Sequence, residues 1–302
     1  MKATGWKRRL SPTRLLAYGF SALTLAIVCS ALAMFLWQSF PVWRHEGLGY
    51  LTRKQWHYRG QQFGALPMIY GSVVVSVLAL LLAAPIGIGA AVFAAEVVPD
   101  RLRIALKILV ELLSGIPSVV YGLLGILFLR NWVYTAFERF DPLSGDTLLT
   151  ASLLLAVMIL PTTMTLSEDA LRGVPNAQRI AARGLGLTRA ETVFSVTLPQ
   201  AAPGIVSAVL LGLGRALGET IAVFLVVGRQ DNQWPSNLFS LRPLIEGGQT
   251  LTSKLGGSET NIAFGDPLHW AAIVGLGLIL FALTAAATLA SLWFGARRRD
   301  DA

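Results

Sequence analysis

The sequence predicts an all-α polytopic membrane protein of about six transmembrane helices, and three observations predict it. Hydrophobic residues make up 54% of the 302 positions and charged residues only 14%, with a mean hydropathy of +0.60. Soluble domains carry about a quarter charged residues. Apolar runs near the roughly 20 residues that a helix needs to cross hydrocarbon recur along the chain, separated by polar connections. The formal charge of +8 is spread between those runs instead of gathered on one patch. It therefore fits membrane orientation, with lipid as the surrounding partner and no nucleic acid.

The first run, 15–40, follows a basic start containing Lys2, Lys7, Arg8 and Arg9. It exceeds the core of a cleaved signal and is read as a retained span. Cys29, the lone cysteine, lies inside it, which excludes a disulfide within the chain. Bulky Val28 argues against a lipoprotein processing site there. The remaining runs are 71–97, 104–129, 148–166, 203–227 and 270–294. With the N-terminus inside, most Lys and Arg fall in the inner segments, among them Arg101, Arg103, Lys107, Arg172, Arg179, Arg183 and Arg189. Many of the outer ones occupy long loops, where the positive-inside bias is weaker. Both termini are expected in the cytoplasm. The chain divides into 1–60 (N-terminus, first span and external loop), a transmembrane domain 61–296 with an inner loop 167–202, and a tail 297–302.

Two polar features inside the runs need a physical account. Glu111, Ser114, Ser118 and Tyr121 are spaced by three, four and three residues, which places them along one face of a helix interrupted by Pro117. Such a stripe either lines a wet path or bonds neighbouring helices together. Lys107, one turn before Glu111, is expected to pair with it. In GLGRALGETIAV (212–223), Arg215 falls about 18 Å along a helix that starts near Pro203, close to mid-membrane, with Glu219 one turn farther on the same face. A charge at that depth requires a partner or a wet cavity. Either the two form a structural ion pair, or Arg215 attracts an oxyanion, for which a planar fork of donors suits it better than lysine. Gly214 and Gly218 form a G-x-x-x-G helix-packing pattern.

The inner loop contains VPNAQRIAARGLGLTRAETVFSVTLP (174–199). Pro175 suits a first helical turn, Gly184 and Gly186 end the run, and Thr188 with Glu191 forms a capping box that starts a second short helix, expected to stop at Leu198-Pro199. Small Ala181, Ala182 and Gly186 allow a partner to approach the backbone closely. The alternative is an amphipathic loop lying on the headgroups.

This segment resembles the cytoplasmic signature of ABC importer permeases, E-A-A-x3-G-x9-I-x-L-P, with Ala181, Ala182, Gly186, Leu198 and Pro199 in register. Ile180 stands where glutamate is usual and Val196 where isoleucine is usual. ELLSGIPSVVYGLLG (111–125) and GLGRALGETIAV are similar to the phosphate-specific branch of the family, the PstC/PstA type, and more similar to its PstC half; the likeness covers about residues 60 to 294. The resemblance implies a type I importer bundle in the bacterial cytoplasmic (inner) membrane, and a permease subunit of an ATP-driven inorganic phosphate importer. Its implied partners are a PstA-like second permease, a dimer of cytoplasmic ATP-binding subunits and a periplasmic or extracellular phosphate-binding protein. Arg215, Glu219, Ser118 and Tyr121 would then line the substrate path, and Ala181, Ala182, Gly186, Leu198 and Pro199 would couple to the ATPase.

No G-x-x-x-x-G-K-[ST] phosphate loop occurs in the sequence, so the chain itself is expected to be no enzyme, with ATP hydrolysis in another subunit. Neither a metal nor a cofactor is expected. The competing readings are a permease of the same kind for another oxyanion or small solute, and a secondary transporter driven by an ion gradient. The latter predicts broken helices at matching positions in two halves, whereas this sequence has one docking-like segment and one charged span.

Overall fold

The computed structural model describes residues 12–235 and 241–300. The basic start Lys2, Lys7, Arg8 and Arg9 lies outside them. Among the described residues, six helices are long and apolar enough to cross a membrane: Leu16–Glu46, Leu66–Glu96, Ser118–Phe140, Leu148–Arg172, Arg189–Gly218 and Pro267–Gly295.

In chain order, α1 (Pro12–Glu46) is followed by a short α2 (Gly49–Thr52) and a two-stranded antiparallel hairpin, β1 (Trp56–His57) and β2 (Gln62–Phe63). Helix α3 (Leu66–Glu96) comes next, then α4 (Asp100–Ser114), α5 (Ser118–Leu124), a π-turn over Gly125–Leu129 and α6 (Arg130–Phe137). Helix α7 (Leu148–Arg172) leads to α8 (Asn176–Gly184) and α9 (Arg189–Thr192); a second π-turn over Val193–Thr197 joins α9 to α10 (Leu198–Gly218). Short helices α11 (Ile221–Val226), α12 (Arg242–Ile245), α13 (Leu251–Leu255) and α14 (Glu259–Ala263) precede α15 (Pro267–Asp300).

The central packing is α3 against α7, with α10 against both α7 and α15. Small residues make the close approach possible: a Cβ on Gly87 would sit 3.3 Å from the Thr163 side chain. The buried core forms three groups along the bundle. One, around Val42, Tyr50, Phe63 and Leu276, lies at the upper end, where segments 47–65, 228–235 and 241–266 meet. The second fills the middle around Ala79, Leu155, Ile159 and Val226. The third, around Ala94, Leu171, Val174 and Ala201, lies at the lower end beside α8. The upper segments are tied down by the Tyr50 hydroxyl donating to the Ala272 carbonyl at 2.7 Å and by the Leu251 amide donating to Ser72 Oγ at 2.8 Å. Gly71 is required there, because a Cβ would lie 2.1 Å from the Gln249 carbonyl oxygen.

Two of the expected spans are displaced. The run 104–129 is not one helix. It breaks at Gly115-Ile116-Pro117, where proline drives the preceding residue out of the α region and offers no amide proton. Amphipathic α4 is thereby separated from a span that begins at Ser118 and continues to Phe140. The run 203–227 likewise ends at Gly218; Glu219 is extended (φ −71°, ψ 122°), and α11 starts afresh.

Candidate functional site

Arg215 occupies the last turn of α10, and its side chain is exposed on a face that the bundle leaves uncovered. The expected pair with Glu219 does not form, because the helix that would have stacked the two residues stops between them. The Glu219 carboxylate instead accepts from the Ala222 amide at 3.4 Å and caps α11. Arg215 Nη1 donates to Thr162 Oγ1 at 2.7 Å and to Ser114 Oγ at 3.3 Å. Among the described residues, no carboxylate lies within ion-pair distance of this guanidinium. Thr162 follows Pro161 inside α7, and Ser114 is the final residue of α4.

The expected polar stripe divides at the same break. Glu111 and Ser114 belong to α4, and Ser118 and Tyr121 to α5. Tyr121 is buried and donates its phenol to the Leu113 carbonyl at 2.9 Å, which also accepts from the Ile116 amide at 3.3 Å, so this bond ties α5 back to the end of α4. Ser118 opens α5 and is half-buried. Glu111, Gly115, Ile116 and Pro117 line an open cleft at the break. The expected Lys107–Glu111 pair is also replaced. Lys107 reaches across to Asp169 of α7 at 3.0 Å, and that hydrogen bond holds its pKa above the usual lysine value. One turn earlier, Arg103 faces the buried carboxylate of Glu168 at 3.6 Å. Cross-helix partners win because α4 lies against α7 with its basic face turned toward the acidic lower turns of that helix.

At the lower end the helix, glycine turn and capping box appear in the expected order. Gly186 has φ +91°, a left-handed conformation that side chains rarely adopt. Thr188 Oγ1 accepts from the Glu191 amide at 3.3 Å, and Glu191 Oε2 accepts from the Thr188 amide at 2.8 Å. The second helix does not stop at Leu198-Pro199, however. Leu198 donates back to the Val193 carbonyl in the π-turn, and this wider turn takes up the proline, so α9 runs on into α10. Ala181, Gly186 and Pro199 are exposed, Ala182 is buried and Leu198 is half-buried.

The upper end holds a polar cluster that periodicity alone did not reveal. Glu259 is bonded to Trp56 Nε1 and Lys254 Nζ and lies 2.9 Å from His269 Nε2; Lys254 also reaches Asp231 at 2.8 Å. Lys254 is only 2% exposed and is paired with two carboxylates, as a buried ammonium requires. Burial works against the Glu259 carboxylate, but bonds from Lys254, Trp56 and His269 outweigh it and hold the pKa below the usual glutamate value. The His269 ring stacks with Tyr58 and Phe63, at 5.5 Å from each. The residues come from four separate segments, so no local spacing announces them.

Known proteins share both the sequence and the fold. A family profile described as "Binding-protein-dependent transport system inner membrane component" matches residues 83–300. The phosphate transport system permease protein PstC of Mesorhizobium japonicum is 34% identical over 284 residues, covering 87% of this chain and 83% of that protein. PstC 1 of Mycobacterium tuberculosis is 36% identical over 275 residues, covering 80% and 79%. Among solved structures, a bacterial alginate ABC transporter in complex with an alginate-bound periplasmic protein matches over 95% of this chain and 94% of that one, with a TM-score of 0.59 and 15% identity. The MetNI methionine ABC transporter in inward-facing form matches over 74% and 93%, with a TM-score of 0.54 and 17% identity. With six helices among its described residues long and apolar enough to cross a membrane, and this match over most of its length, the chain belongs to the family of binding-protein-dependent transport system inner membrane components, multi-pass permeases whose members similar to it include the PstC proteins.

Proposed function

We propose that this chain is the PstC-type permease subunit of an ATP-driven importer of inorganic phosphate. The observation that carries the reading is the extent of its similarity, 34–36% identity over most of both chains, to permeases named for phosphate transport. The fold alone does not select the cargo, since it is shared with transporters of alginate and of methionine. The working assembly pairs this chain with a PstA-like permease, docks a dimer of ATP-binding subunits at the lower end and receives phosphate from a binding protein at the upper end. Both termini then lie in the cytoplasm, residues 61–296 form the transmembrane domain and 167–202 the coupling loop.

Arg215 is the residue of this chain best suited to meet phosphate. Its guanidinium is held by two hydroxyls and, among the described residues, balanced by no carboxylate within reach, so an incoming oxyanion supplies the missing counter-charge in charge-assisted hydrogen bonds. Ser118 and Tyr121 border the path beside it, while Glu219 shapes the α10–α11 break. Closure of the ATP-binding subunits acts on Ala181, Ala182, Gly186, Leu198 and Pro199, exposing the path alternately to the two sides.

The test reconstitutes the chain with its second permease, ATP-binding subunit and phosphate-binding protein in proteoliposomes. Uptake of radiolabelled phosphate should require ATP inside and binding protein outside, with arsenate competing and sulfate not. Phosphate uptake by the chain alone under an ion gradient overturns the reading, and ATP-driven uptake that sulfate inhibits but arsenate does not redirects it to another oxyanion.

A further inference from the structure

From the way α8 is fastened to the bundle, we infer that Arg179 is a positioning residue for coupling, the joint through which this helix moves α3 and α7 together. The inference rests on the permease reading above. Helix α8 is bounded by turns on both sides, Gly173-Val174-Pro175 before it and Leu185-Gly186-Leu187 after it. The chain therefore gives it no rigid continuation, and a push on it must travel through side chains. Only two side chains of α8 turn inward. Ala182 is buried and Arg179 is nearly so, at 13% exposed, while the others face solvent.

Ala182 offers contact without direction. Arg179 is directional: Nη1 bonds the Glu96 carboxylate at the last turn of α3, and Nη2 donates to the Leu171 carbonyl at the last turn of α7, 2.7 Å away. One planar guanidinium thus holds the lower ends of the two most closely packed helices of the bundle. Its acceptors suit a cation, since Leu171 presents a helix C-terminal carbonyl and Glu96, 9% exposed, a carboxylate. The Nε–H is buried without an acceptor, so the seat is one hydrogen bond short of complete, as suits a joint that exchanges partners between two states. Helix α7 carries the signal onward, because Glu168 and Asp169 face Arg103 and Lys107 of α4, and Thr162 and Ser114 of these same two helices hold Arg215.

A brace and a joint differ in what their loss changes. The complete reconstituted complex is compared with complexes carrying Arg179→Ala, Arg179→Lys or Glu96→Gln, measuring assembly, ATP hydrolysis and phosphate uptake together. For a joint, Arg179→Ala complexes assemble and hydrolyse ATP within about twofold of the parent, but phosphate moved per ATP falls about tenfold or more. Arg179→Lys recovers part of that ratio, because it keeps charge without the fork, and Glu96→Gln loses an intermediate share. A ratio unchanged from the parent, with uptake and hydrolysis falling only as assembly falls, overturns the inference. So does failure of both Arg179→Ala and Glu96→Gln to assemble, which makes the pair a brace. A parent complex that moves no phosphate defeats the functional reading instead, and the two failures are thereby separable.

Discussion

Arg215 donates to the Thr162 hydroxyl at 2.7 Å, and Glu219, four residues along the chain, takes no part in holding it. This separation makes the arginine a cleaner target than an ion pair would be, because removing it strands no carboxylate. Arg215→Gln should leave the complex assembled and reduce phosphate uptake by roughly tenfold or more, the loss expected for hydrogen bonds to a charged group. Arg215→Lys should be intermediate, and Glu219→Gln close to the parent, since an amide oxygen still accepts from Ala222. Near-parental uptake by Arg215→Gln removes Arg215 from the substrate path.

The turn at Gly186 is conformational in origin. A Cβ placed there meets nothing within 4 Å, yet φ is +91°. Gly186→Val should therefore strain or rearrange the turn at a cost of about 1–3 kcal/mol, weakening co-purification of the ATP-binding subunit and uptake together while membrane insertion is unaffected. Gly186→Asn should retain more of both, because asparagine enters left-handed conformations more readily. Equal behaviour of valine and glycine at this position argues that the turn does not dock.

The upper cluster predicts an acid limit. The folded-state pKa of Glu259 lies below its ordinary value, so its contribution to stability is present above that ordinary value and is lost as pH falls through the lowered one. Thermal unfolding of the detergent-solubilised protein should show Tm falling through this acid range. In Glu259→Gln, Tm should be lower near neutrality, on the order of 1–3 kcal/mol in stability, and flatter in acid. Identical acid profiles for the two proteins rule out Glu259 as a source of the limit.

Orientation is checked by cysteine labelling with Cys29 first replaced by alanine. Exposed Asn176 in α8 and exposed Asn261 in α14 mark the lower and upper ends. Asn261→Cys should react with a membrane-impermeant thiol reagent in intact cells, and Asn176→Cys only after the membrane is opened. The reverse pattern inverts the topology and moves the coupling loop outside.

Helix number, the helix–glycine turn–helix segment at the lower end and its capping box were legible because each depends on residues close together in sequence. The breaks at 115–117 and 218–220 were obscured by apolar composition, which continues across them. Their local signals were nonetheless present: Ile116 precedes a proline, and Gly218 is followed by a carboxylate able to cap a new helix. Partner choice was the least legible property. Lys107 has Glu111 one turn away in sequence but Asp169 across a helix interface, and Thr162 carries no motif that marks it for Arg215. Such pairings follow from how helices are set against one another, which a linear spacing does not encode.

The π-turn at Val193–Thr197 has a mechanical consequence. Because it carries α9 into α10 without interruption, Arg189–Gly218 is one rod with the capping box near one end and Arg215 near the other. From Arg189 to Arg215 the rod measures about 39 Å at 1.5 Å per residue. A tilt of about 5° pivoting at the capping box therefore sweeps the arginine through roughly 3 Å, comparable to the length of a hydrogen bond. With that leverage, a small tilt about the foot is enough to make or break the grip of Arg215 on Thr162 and Ser114.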